Sequence, residues 1–511
     1  MADALILDHR KDTPDPETPS SEMHRALQVP DVVWMIGSQL DPRPHEGMAE
    51  LAALARCGPF HGLALDVLWR HQETIQNLIN CMPEGLWVVE QAQRRRDTLV
   101  FEVLHRGVPG DYLLPNLETL QWRPGNTTEF ANINIFLGPQ ITSIRLQTLE
   151  YPSFPSSQLW RFDFLTIWPA SEIQNTLSVF VHGLRNIRSL HLQSGIDAGA
   201  IMHIGGLSTL ETLHISPPTT PFSLAGLPEG SLFHHLRSAS FWCPYDGQLA
   251  AIASFVRSWA DSPLRSFAIK SSRYMTADEN EELYSALSAH CSHDTLKTLK
   301  FTVRFFLGGV TASEYTIPGR ALKPLFCFTN LVTVCIRSAN GYQLDDEIMA
   351  ELAAAWPRIE ELRLEVYDHL HPCGTLLGLQ ALARHCPNLH TLELTLDASS
   401  VPLSHPDPCL KHPALVKLDV GYSLISNAFD VARFLFATFP NVAQTFTEFD
   451  SEDSEDEGST NPHYAVQAEY RELWKEVGTL LPGLQDLRAK KIHGGESVDQ
   501  HAKHYIHSLT G

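Results

Sequence analysis

Few residues of this 511-residue chain have the type and spacing to do chemistry. His369-x-His371-x-Cys373 and His290-Cys-Ser-His293 place nitrogen and sulfur donors close enough to share a metal ion, and His501, His504 and His507 recur at every third position. A structural zinc takes four such ligands, commonly as two pairs. No second pair stands at that spacing from either of the first two clusters, and the third falls in the last stretch of the sequence. All three read as loop, helix-end or tail histidines. No Walker loop, GxGxxG, GxSxG, HExxH or CxxC pattern occurs, so the expectation is a protein that is not an enzyme and holds no cofactor or metal. One further chemical possibility is modification. Residues 448–457 carry seven acidic side chains and no basic one, and Ser451 and Ser454 lie among them, with Glu457 three residues after Ser454. An acidophilic kinase could read that spacing, and phosphate would act there by charge. A purely solubilising loop is the competing reading. Arg94-Arg95-Arg96 fits a solvated helix face better than a nuclear signal.

The elements that would position any surface chemistry come from a recurring phrase: leucine, two residues, leucine, one residue, leucine. Clear copies are Leu210-Glu-Thr-Leu213-His-Ile215, Leu296-Lys-Thr-Leu299-Lys-Phe301, Leu389-His-Thr-Leu392-Glu-Leu394 and Leu415-Val-Lys-Leu418-Asp-Val420. First apolar positions fall at 117, 141, 159, 187, 210, 236, 264, 296, 331, 359, 389 and 415, with the copy at 159 degenerate, so neighbouring units lie 18 to 35 residues apart. Recurrence of this kind predicts a solenoid, because each unit can bury its apolar edge only against the next. The segments between copies carry helical stripes: Leu249, Ile252, Ala253, Val256 and Trp259; Thr276-x-x-Glu279 as a capping box ahead of Leu283 and Leu287; and Ile348, Met349, Leu352 and Ala355. Strand, helix, strand, with the strands parallel, predicts the leucine-rich-repeat horseshoe.

Alternation along each strand sends the residues around the middle leucine outward, onto the concave face. That row reads Arg123, Arg145, His191, His214, Trp242, Lys270, Lys300 and Arg337, then Arg363 among Glu361, Glu365, Glu393 and Asp419. The candidate client-binding residues are Arg145, His191, His214, Trp242, Lys270, Lys300 and Arg337. Arginine and lysine on neighbouring strands suit carboxylate or phosphate, so the expected client is a protein segment that is acidic or phosphorylated. Ordinary polar scatter on an exposed sheet is the alternative.

Bulk numbers narrow the class. The net charge of −21 argues against nucleic acid and anionic membrane as partners, and apolar residues at 43% suffice for a continuous core. Nine cysteines without paired spacing read as reduced thiols of a cytoplasmic or nuclear protein. Met1–Ser21 has no signal-peptide pattern, and the most apolar stretch, Leu51–Trp69, contains Arg56, His61 and Asp66, so no membrane span is expected.

Along the chain, 1–23 reads as disordered, 24–72 as a small helical unit, 73–110 as further helix, 111–445 as the repeats, 446–462 as an acidic loop, 463–490 as a helical cap and 491–511 as a tail. The unit at 24–72 carries apolar residues three and four apart, in Val29-Pro-Asp-Val-Val-Trp-Met-Ile-Gly-Ser-Gln-Leu40 and Met48-Ala-Glu-Leu51-Ala-Ala-Leu54-Ala-Arg-Cys57, then Phe60, Leu68 and Trp69. In this order they resemble an F-box, and an F-box ahead of leucine-rich repeats resembles the F-box/leucine-rich-repeat proteins, a large fungal group of them in particular. The resemblance implies an α/β fold with an N-terminal three-helix F-box-like bundle, an irregular leucine-rich-repeat solenoid and a C-terminal helical cap. It implies a substrate receptor whose F-box docks on a Skp-type adaptor of a cullin ubiquitin ligase. Pro30, Ile36, Leu40, Leu54, Cys57 and Phe60 would then face or support the adaptor. The asparagine that the family usually carries after the third leucine is mostly missing, so no regular asparagine ladder is expected. A leucine-rich-repeat scaffold whose N-terminal helices merely cap the solenoid is the runner-up.

Overall fold

Each copy of the phrase folds as a strand because its leucines alternate with polar residues, which sends one set to each face of a sheet. Leu190 and Leu192 are wholly buried while Ser189 and His191, which alternate with them, are half-buried, and the same alternation holds at Leu213 and Ile215, Phe267 and Ile269, and Leu392 and Leu394. The computed structural model describes His71–Gln72 and residues 112–122, 130, 132–146, 170–217, 229–244, 248–303, 313–366, 372–402, 410–421, 423–442, 444–446 and 462–494. Residues 24–70, and with them Pro30, Ile36, Leu40, Leu54, Cys57 and Phe60, lie outside those described, as do the acidic block, the degenerate copy at 159 and Arg123.

The chain divides into two compact units, Met1–Ser143 and Ile144–Gly511. In the first, β1 (His71–Gln72) pairs in parallel with β2 (Thr119–Trp122). Residues 71 and 72 therefore extend as a strand where the sequence reading has helix. They complete the hydrogen bonds of β2, and Trp122 packs on Phe136 of the 3-10 turn Asn132–Phe136 at 5.0 Å between centroids.

The second unit continues from β3 (Ser143–Leu146) through β4 (Ser189–Leu192), β5 (Thr212–Ile215), β6 (Ser238–Cys243), β7 (Ser266–Ser271) and β8 (Thr298–Val303). Next come β9 (Ile317–Pro318), β10 (Thr333–Ser338), β11 (Tyr342–Gln343), β12 (Glu361–Val366), β13 (Thr391–Leu394) and β14 (Asp397–Ala398), then β15 (Lys417–Asp419), β16 (Leu424–Ile425) and β17 (Gln444–Phe446). The long sheet runs β3-β4-β5-β6-β7-β8-β10-β12-β13-β15-β17, each strand beside the next in chain order, while β9 pairs with β11 and β14 with β16 in short ladders of their own. Wherever the register is given the pairing is parallel. This is a mixed α/β repeat fold built on one long parallel sheet.

A shared turn sets the register. At the start of β5, β6, β7, β8, β10, β12, β13 and β15 two successive N–H groups donate to a single carbonyl of the preceding repeat, as Glu211 and Thr212 do to Arg188, Arg237 and Ser238 to Glu211, Lys297 and Thr298 to Arg265, and His390 and Thr391 to Glu360. Side chains just ahead of the first apolar residue add bonds to the same turn, as Thr209 does to the Ile187 carbonyl at 2.9 Å and Thr295 to that of Leu264 at 2.8 Å.

The helices lie on the other side of the buried leucines. They are α1 (Ala170–His182), α2 (Ala198–Gly205), α3 (Gln248–Arg257), α4 (Ala277–His290), α5 (Asp346–Ala355), α6 (Leu376–His385), α7 (Ala428–Thr438) and α8 (Pro462–Gly494). The stripe on α3 buries Leu249, Ile252, Ala253 and Val256. Trp259 follows it into a cluster with Phe233, Phe241, Phe255 and Phe267. The capping box forms at α4: Glu279 N–H donates to the Thr276 hydroxyl, and Thr276 N–H to the Glu279 carboxylate. Asp197, Asp345, Thr375 and Asn427 cap α2, α5, α6 and α7 in the same region of each repeat. Between β8 and β10 the α-helix gives way to a 3-10 helix, Gly319–Cys327, with Pro324 inside it; in an α-helix interior that ring would remove an N–H donor and clash with the carbonyl four residues back.

One more strand follows the last copy of the phrase at Leu415. Val442 is fully buried, its N–H donates to Phe439, and β17 pairs with β15. Over that end lies α8. Trp474 is buried and donates from Nε1 to the Ser423 carbonyl at 3.0 Å, and Gln485 donates to the carbonyls of Pro440 and Val442. Among the described residues no helix is long and apolar enough to cross a membrane.

Candidate interaction surface

The sheet face turned away from the helices is open, and the register decides which side chains meet on it. One row runs His191, His214, Ser240, Ala268, Lys300, Cys335, Arg363, Glu393, Asp419, each opposite the next on the neighbouring strand. Arg145 holds the matching place in β3. A second row, two residues along, holds Trp242 opposite Lys270, Lys270 opposite Thr302, and Arg337 opposite Glu365. Arg145, His191, His214, Trp242, Lys270, Lys300 and Arg337 thus all stand on the open face.

They are not equivalent. Arg145, Lys270 and Lys300 are exposed, and among the described residues none makes an ion pair. Arg337 is neutralised: its guanidinium grips the Glu365 carboxylate, which is buried beside Cys335. Arg363 pairs with Glu361 at 2.7 Å. The basic row therefore stops working as free charge at β10. From there on the two guanidiniums are taken by Glu365 and Glu361, and Glu393 and Asp419 add two more carboxylates to the row.

At the other end the imidazoles of His191 and His214 stack, 3.8 Å between centroids and 20° between planes. Burial pushes the His191 imidazole down to about 3, helped by His214, Arg145 and Lys270. His214 is pushed down to about 4, again first by burial and then by Lys270 and Arg145. Both rings are neutral at pH 7, so each presents one N–H donor and one nitrogen acceptor between two free cations.

A third row escapes a reading that looks only around the middle leucine. One register place earlier stand Ser189, Thr212, Ser238, Ser266, Thr298 and Thr333, each opposite the next. Glu361 interrupts the row, and Thr391 resumes it. These hydroxyls are half-buried apart from exposed Thr212. The signal was in the writing: the residue just before the middle apolar position is Ser or Thr in copy after copy, while attention rests on the leucines.

The metal reading gains nothing. Among the described residues no group of three His, Cys, Asp or Glu side chains could hold an ion. His290 and His293 engage the carbonyls of Trp259 and Ser288 at 3.2 and 2.7 Å. His369, His371, His501, His504 and His507 lie outside the described residues. A small hollow lined by Gly341, Tyr342, Leu344, Val366, Pro372, Leu394 and Thr395 carries no charged group.

No family model matches the chain, and no curated protein matches it. Among solved structures it is similar to one described as the crystal structure of the Rad7 and Elc1 complex in yeast, at 12% identity over 54% of this chain and 83% of that one, with a TM-score of 0.21. A likeness at that score carries no argument about function.

Proposed function

We propose that this chain is a non-enzymatic substrate receptor of a Skp-cullin-F-box type ubiquitin ligase, holding the adaptor through residues 24–72 and a client protein on the open face of its repeats. The observation that carries the recognition half is the open face itself. Three unpaired cations, a stacked neutral histidine pair and a half-buried tryptophan stand on consecutive strands, in two adjacent rows of the face. A rigid parallel sheet presenting polar groups over many strands suits a macromolecular partner, as solenoids do. The ligase half rests on the F-box resemblance of residues 24–72. Ile36→Ala with Leu40→Ala removes two apolar side chains from the adaptor side, each worth roughly 1.5–3 kcal/mol when buried. The double variant should lose co-purification with a Skp-type adaptor and keep the thermal transition of the repeats. Adaptor capture at the wild-type level would leave a leucine-rich-repeat scaffold uncoupled from ubiquitination as the better reading.

A further inference from the structure

We propose that the open face from β3 to β10 binds an extended acidic segment of a partner protein laid across the strands, its main-chain amides on the hydroxyl row and its carboxylates or phosphates on Arg145, Lys270 and Lys300. The inference rests on the recognition half of the proposed function and specifies its ligand.

Three features of the face converge on that occupant. The first is the row Ser189, Thr212, Ser238, Ser266, Thr298, Thr333, unbroken over six strands. A hydroxyl both donates and accepts, so it can meet an N–H or a C=O whatever side chain lies beside it. Thr391, past the interruption, is already engaged by the ring of His390 at 3.0 Å. The strand spacing of about 4.8 Å makes the row roughly 24 Å long, the reach of about seven residues of extended chain.

The second feature is the position of the free charge. Lys300 and Arg145 stand one place along from the hydroxyl row, and Lys270 two places along, all on one side of it. A segment on the hydroxyls would turn one edge toward all three. Ser240 and Ala268, the small residues between His214 and Lys300, leave room there, with Trp242 beside Lys270 as an apolar contact.

The third feature is the boundary. At β12 the hydroxyl row meets Glu361, and the neighbouring guanidiniums are taken by Glu361 and Glu365. From β12 an anionic segment meets the carboxylates of Glu361, Glu365 and Glu393, and among the described residues the next unpaired cation of the row is Lys417 on β15, which sits over the ring of Phe446. A nucleic acid would need stacking platforms along its path, and this strip offers Trp242 and two imidazoles already stacked on each other, in a chain of net charge −21.

The test uses the full chain and an array of fluorescein-labelled nine-residue peptides: one set with two to four Asp or Glu, one with phosphoserine at those places, and one with Lys. Fluorescence anisotropy is read at two salt concentrations. The acidic or phosphorylated sets should bind and the Lys set should not; which of the two binds more tightly identifies the source of the oxyanion. K270E/K300E should weaken binding at least tenfold and flatten its salt dependence. S238A/S266A with Thr298→Val should weaken every acidic peptide about fivefold or more while the salt dependence stays, because only neutral hydrogen bonds are lost. Circular-dichroism melts confirm that each variant folds, and S266T should bind as wild type. I36A/L40A should bind the peptides as wild type does, so loss of adaptor and loss of peptide are read separately. The proposal is overturned if no acidic peptide binds, if the hydroxyl variant binds as tightly as wild type, or if single-stranded oligouridylate binds more tightly and is lost with the same substitutions.

Discussion

The stacked pair His191 and His214 should give the fold a measurable sensitivity to acid. In the folded chain both imidazoles resist protonation, at about 3 and about 4, with Arg145 and Lys270 the charges that face them. In the unfolded chain a histidine titrates near 6.5. The unfolded state therefore binds more protons below that value, and stability contributed by the pair is complete above about pH 6.5 and falls as pH drops toward 4. Moving from pH 7.5 to 5.0, full linkage gives about 2 kcal/mol for each ring. Both rings are only half-buried, so screening lowers the pair's total to ~2 kcal/mol. The comparison is wild type against H191Q/H214Q, by urea denaturation at a series of pH values. Titration of the other histidines and of the carboxylates is common to both and cancels in the difference. The variant should gain on wild type by ~2 kcal/mol between pH 7.5 and 5.0, whatever constant offset the substitutions add. A difference that stays constant across that range, or moves against the variant, would refute the buried-pair argument.

Two more outcomes test the packing. Arg337→Ala leaves the buried Glu365 carboxylate without its partner and should cost about 3–5 kcal/mol, while R337M/E365M should recover most of it; urea midpoints decide. Trp474→Ala removes a wholly buried ring and its bond to Ser423, so it should cost about 3–5 kcal/mol and speed amide exchange along α8 more than along α3.

Much of the solenoid could be read from the leucines, because alternation fixes both the strand and its buried face. The capping box at Thr276 was legible for a similar reason: it is a local pattern with a local cause. What escaped depends on partners distant in sequence. Arg337 reads as a free cation until the register sets it against Glu365, 28 residues on. His191 and His214 read as two polar residues until parallel pairing stacks them. β17 keeps its first apolar residue, Val442, but has Thr445 in the place of the middle leucine, and only its pairing with β15 identifies it. The strand at His71–Gln72 has no apolar alternation of its own and exists through β2. The hydroxyl row was visible in most copies, with Glu361 and Lys417 the exceptions on described strands, yet serine and threonine on a solvent-facing strand invite no notice until their alignment is known.

The carbonyl that two N–H groups share at the start of eight strands of the second unit has a consequence for how such a chain can change. Lys297 and Thr298 are clamped to Arg265, and Val332 and Thr333 to Lys297, although the second interval contains a short extra ladder and a 3-10 helix where the first has a single α-helix. Inserted or deleted residues are absorbed on the helical side, and the open face keeps its pitch. The back of the molecule is thereby free to drift in length while the front behaves as a ruler whose graduations do not move. A partner measured against that ruler would keep its fit through changes that leave the rest of the chain hard to align.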